Sequence, residues 1–117
     1  MINLQEINFP VDCILVHNEF YSYDPVNAFN EVDSLKYLNE DLLQCTFPLE
    51  DLIVDIGWYG DIKKNKGEYR INLIKNENWD EPFNVIYSKS VVEIKDLLTK
   101  IIKYYTKTEI EEVVRQV

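Results

Sequence analysis

A chain of 117 residues with 46% hydrophobic and 28% charged residues, 3 Gly and 4 Pro has the composition of one globular domain, expected to span residues 1–117, rather than of a disordered segment. Its net charge of −9 argues against direct contact with nucleic-acid phosphates or an anionic membrane surface, both of which require basic groups. The charge is unevenly divided: residues 1–61 carry twelve acids and one base, Lys36, giving −11, while residues 62–117 carry nine acids and eleven bases, giving +2.

Residues 1–6 lack the basic start and apolar run of an export signal, and no stretch approaches the roughly 20 apolar residues of a membrane span, so the expected location is the cytoplasm. There Cys13 and Cys45, the only cysteines, are expected to stay reduced as small apolar core residues. Residues 11–17 read as a strand. Residues 18–30 read as a loop of about a dozen residues, a length associated with function. In it Phe20 and Phe29 are expected to join the core, while Tyr21 and Tyr23 offer hydroxyls to solvent or a partner. Val32, Leu35, Leu38 and Leu42 fit a helix over residues 31–45 that Pro48 closes.

From residue 51 the apolar period becomes two: Leu52, Val54, Ile56 and Trp58, then Tyr69, Ile71 and Leu73, then Phe83, Val85 and Tyr87. The polar link 60–67, bounded by Gly60 and Gly67, predicts a hairpin between the first two sets, and residues 76–82 predict a second reversal ending in Pro82. Ile94, Leu97, Leu98, Ile101, Ile102 and Tyr105 share one side of a helix, which Ser90-Val91-Val92-Glu93 opens as a capping box. A second box, Thr108-Glu109-Ile110-Glu111, predicts either a short terminal helix or continuation of the first through Thr106. The fold expected is α+β: an antiparallel β-meander of three to five strands packed against a C-terminal amphipathic helix, with a further helix in the N-terminal half.

Motifs for catalysis are thin. His17 is the single histidine and adjoins neither cysteine, so it reads as a strand-end or surface residue. Two cysteines 32 positions apart do not reproduce zinc-ligand spacing, and the acids do not follow a calcium loop. Gly57 and Gly60 around Trp58-Tyr59 lack the third glycine of a dinucleotide loop and the lysine of a phosphate loop. Lys63, Lys64 and Lys66 read as a solubilising turn. The expectation is therefore a binding protein, not an enzyme, with no catalytic residue, cofactor or metal.

The acidic half, with its Tyr- and Phe-rich loop, combines aromatic anchors with carboxylates that steer and pair with a basic partner. The segment Asp55-Ile56-Gly57-Trp58-Tyr59-Gly60-Asp61, followed by Gly67, an alternating strand, Asn78-Trp79-Asp80-Glu81-Pro82 and an amphipathic helix, resembles small immunity proteins of bacterial contact-dependent growth inhibition and related polymorphic-toxin systems. The likeness covers residues 51–105. It implies a protein that binds and inactivates a cognate toxin domain, often a nuclease, inside the cell that makes both, and it carries over no active-site residue. Of the matching residues, Trp58 alternates onto the apolar face and Trp79 is expected to cover a core edge. On this reading the partner is a basic toxin domain, contacted by Glu19, Tyr21, Tyr23, Asp24, Glu31 and Asp33, with Glu40 and Asp41 next. Competing readings are an acidic mimic of DNA that occupies a nucleic-acid-binding enzyme, and a small enzyme or ligand-binding domain using Trp58, Tyr59 and Trp79 around a pocket.

Overall fold

The longest strands set the frame. In the computed structural model, which describes residues 1–107, β3 (Leu52–Asp61) and β4 (Lys66–Lys75) pair without interruption from Leu52↔Lys75 to Asp61↔Lys66. Their reversal places Asn65 at φ 49°, a left-handed conformation that asparagine tolerates. Around this hairpin lie β1 (Ile14–Asn18), β2 (Leu43–Phe47) and β5 (Asn84–Ser88), giving one five-stranded antiparallel sheet in the order β1-β2-β3-β4-β5. With α1 (Glu31–Tyr37) and α2 (Val91–Tyr105) the architecture is α+β, a β-meander carrying a C-terminal helix.

Period-two patterning decides which sheet face is covered. Leu43, Cys45 and Phe47 of β2, Leu52, Val54, Ile56 and Trp58 of β3, and Tyr69, Ile71 and Leu73 of β4 all point to one core. Onto it α2 lays Val91, Ile94, Leu98 and Ile102, spaced three or four residues apart, and Tyr105 reaches Phe47 with ring centroids 5.5 Å apart. Phe20 and Tyr23 of the long loop and Leu38 close the same core. Cys13 and Cys45 are buried in it as free thiols. The hydrogen bond between them pushes the Cys45 thiol up, with burial adding to the effect, and holds Cys13 down.

Only half of the capping box at α2 forms. Ser90 Oγ accepts from the Glu93 N–H at 3.1 Å, but the Ser90 N–H donates to Ser88 Oγ at 3.0 Å and not to Glu93. Ser90→Ala is expected to lower the unfolding free energy by about 1 kcal/mol in urea titrations, and an unchanged midpoint would show that the cap contributes nothing. The helix stops at Tyr105, with Thr106 extended, and the second predicted box lies outside the described residues.

The N-terminal half departs from expectation in several places. The helix over 31–45 is really seven residues, Glu31–Tyr37, after which Leu38 turns extended. Leu38 and Leu42 are in the core but outside the helix, while Val32 and Leu35 are exposed. Residues 43–47 are β2, because Leu43, Cys45 and Phe47 alternate with Gln44 and Thr46, and this period was hidden beneath the leucine spacing. Pro48 opens a short 3-10 turn, Pro48–Glu50, after a strand and does not end a helix. The strand expected at 11–17 runs from Ile14 to Asn18, with an irregular register between Leu15 and His17. Phe29, expected inside, is exposed, and Trp79, expected to cover an edge of the core, is half exposed. In β5 the facing is the reverse of that expected. Ile86 lies opposite the core residue Ile71, whereas Val85 and Tyr87 lie opposite Asn72 and Arg70 on the other face.

Candidate functional site: the sheet face opposite α2

Of the residues proposed to meet a partner, Tyr23 is not at the surface. Its hydroxyl donates to Asn30 O at 3.1 Å, accepts from Asn30 N–H at 3.0 Å and sits 2.6 Å from Ser34 Oγ, while Tyr69 Oη donates to Tyr23 O. These bonds fasten the long loop to α1 and leave the ring 2% exposed, so Tyr23 is a core anchor. Asp24 caps its own turn, accepting from the N–H groups of Asn27 and Val26, and these bonds, that from Asn27 foremost, hold its carboxyl below the usual range. Glu31 and Asp33 sit in the first turn of α1, where negative charge complements the helix dipole. Tyr21 packs on Tyr37 at 5.0 Å.

Glu19, Glu40 and Asp41 form a separate group at the opposite sheet face, which no helix among the described residues covers. His17 brings the first and last together: its Nε2 is 3.1 Å from Asp41 O and 3.7 Å from Glu19 Oε2. The Glu40 backbone lies over Gly57, where a Cβ would collide with it. Behind them a cleft of about 270 Å³ is lined by His17, Asp41, Leu43, Gln44 and Asp55.

Asp55 is the centre of this arrangement. It is only 8% exposed, and its carboxyl is pushed up to about 6. Burial is the main cause and the Asp41 carboxylate adds to it, while a hydrogen bond with Asn72 and the nearby His17 oppose it. Next along the same face, burial and then Asp55 push Tyr59 up. The guanidinium of Arg70 stacks 4.5 Å from the Tyr59 ring and 5.3 Å from Tyr87. Its Nε is buried without a hydrogen-bond partner among the described residues, and Glu68 lies 3.9 Å away.

Comparison with protein families, with curated proteins and with solved structures gave no match. What the site does therefore rests on its own chemistry. Among the described residues no group of three His, Cys, Asp or Glu side chains is placed to hold a metal ion, and no helix is long and apolar enough to cross a membrane. The face offers acceptors at one end and a Tyr-Arg-Tyr stack at the other.

The sequence reading left out Gln44, Asp55, Tyr59, Arg70, Asn72 and Tyr87 as a group. One signal for it was present: Asp55 is a carboxylate in the middle of the apolar run Leu52–Ile56, and Tyr59 shares its strand parity.

Proposed function

We propose that this chain is an immunity-type inhibitor, a small acidic protein that neutralises a cognate toxin domain by covering a cationic surface on it. The observation that carries the reading is the meeting of Asp41 and Asp55 at one cleft, with Glu19 3.7 Å from the cleft residue His17, on a sheet face that no described helix covers. A nuclease needs cationic side chains about its phosphate site, and an acidic inhibitor associates with such a surface quickly through electrostatic steering. Tyr59, Arg70 and Tyr87 add the residue types that dominate binding energy at protein interfaces.

The test begins with the gene beside this one. If that gene encodes a large exported protein with a variable C-terminal domain, that domain should kill cells when expressed alone and spare them when this chain is co-expressed. Reversing Glu19, Glu40 and Asp41 together to Lys is expected to weaken the complex about a hundredfold and steepen the loss of protection. Full protection and unchanged affinity in the triple variant would sink this reading.

A further inference from the structure

The sheet face opposite α2 has two unlike ends, and the acidic end is incomplete by its own chemistry. Asp55 is more than nine-tenths buried, yet among the described residues no lysine or arginine lines the cleft it faces. The groups about it are His17 from β1, Asp41 from the α1–β2 connection, Asn72 from β4, and Tyr59 on its own strand, with Glu40 beside Tyr59. A carboxylate removed from water without a counter-cation is unfavourable, and a second carboxylate beside it increases the cost. Arg70, a permanent cation on the same face, is held by Tyr59 and Tyr87.

We propose that the cleft among His17, Asp41, Gln44 and Asp55 is the receptor for a single arginine side chain of the partner protein, with the Tyr59-Arg70-Tyr87 stack forming the neighbouring part of the same docking surface. This rests on reading the chain as a protein-binding inhibitor and specifies which face binds and what it grips. At about 270 Å³ the cleft is smaller than the usual range of roughly 300–1,000 Å³ for small-molecule sites. It suits one long side chain. Arginine fits better than lysine, because a planar fork of donors reaches two carboxylates and an amide oxygen at once, whereas an ammonium acts as a point charge. The insertion supplies the missing counter-cation to Asp55 and Asp41 and is guided by the surrounding excess of acid.

N-acetyl-arginine amide titrated into the isotope-labelled full chain is the probe. Saturable NMR shifts are expected at Gln44, Asp55 and Asn72, together with a lower titration midpoint of the Asp55 carboxyl. The neutral isostere N-acetyl-citrulline amide should bind at least tenfold more weakly, N-acetyl-lysine amide should fall between the two, and Asp55→Asn and the exposed Asp41→Asn should each weaken the arginine probe at least tenfold while retaining the wild-type fold by spectrum. Equal binding of the citrulline probe, shifts on another face, or undiminished binding to Asp55→Asn would each overturn the proposal, as would no localised shift at all. Because no toxin is present in this assay, its failure removes the arginine cleft and leaves neutralisation to the co-expression test.

Discussion

Asp55→Asn is expected to make the protein more stable at pH 8, by about 3 kcal/mol, the equivalent of a carboxyl held about two pH units above its ordinary value. The folded-state carboxyl titrates near 6 against 3.8 for an unburied aspartate, so between those values the folded chain holds a proton that the unfolded chain has lost. Stability contributed by this group is therefore fully present below about pH 4, falls as the pH rises through 6, and is absent above it. Asparagine has the same shape, can keep a hydrogen bond with Asn72 and never ionises. Its advantage should accordingly be largest at pH 8 and vanish near pH 4. Glu50 is held below the usual range by Lys107 and runs the opposite way, but it is common to both proteins and cancels in the difference. Urea unfolding at the two pH values checks this, and a variant that is less stable than wild type at pH 8, or a difference that does not change with pH, would refute it. Paired with lost arginine binding, the gain would mark Asp55 as a residue that weakens the fold in order to serve a site.

That pairing also explains how unevenly the sequence could be read. The sheet and α2 were legible because their periods are long and uninterrupted: Leu52 to Trp58 and Tyr69 to Leu73 alternate cleanly, and Val91 to Tyr105 repeats every three to four residues behind the Ser90 cap. The region 31–47 misled because Leu35, Leu38 and Leu42 mimic a helical stripe. What decides there is tertiary: Leu38 and Leu42 enter the core from a non-helical connection, and β2 is held by pairing with β3 from Leu43↔Ile56 to Phe47↔Leu52. The candidate site was half legible. Excess acid in the first 61 residues pointed to Glu19, Glu40 and Asp41, but loop composition also drew in Tyr23 and Asp24, whose polar atoms are engaged within the fold. Facing was the deeper difficulty. Tyr59, Arg70 and Tyr87 come from three strands, and only the register Gly57↔Arg70↔Tyr87 brings them together.

Gly57→Ala should destabilise the protein by about 3 kcal/mol and weaken the arginine probe as well. In an ordinary strand the same change would be mildly stabilising, by roughly 0.5–1 kcal/mol, because alanine loses less backbone freedom on folding, so the sign itself is diagnostic. The reason for the reversal is the Asn39–Leu42 connection, which runs beside β3 beyond the end of β2. The Trp58 N–H donates to Asn39 O at 2.8 Å and the Leu42 N–H to Ile56 O at 2.9 Å, and between these bonds the Glu40 backbone folds onto Gly57. A methyl group at 57 meets backbone, not the end of a flexible side chain, so relief requires the connection to lift. Lifting it breaks the bond to Trp58 and carries Asp41 away from His17 and the cleft. The expected signature is a lower urea midpoint together with faster hydrogen exchange at the Trp58 amide. Wild-type stability with an equally protected Trp58 amide would mean that the connection does not depend on close approach at Gly57, and that the position of Asp41 is set elsewhere.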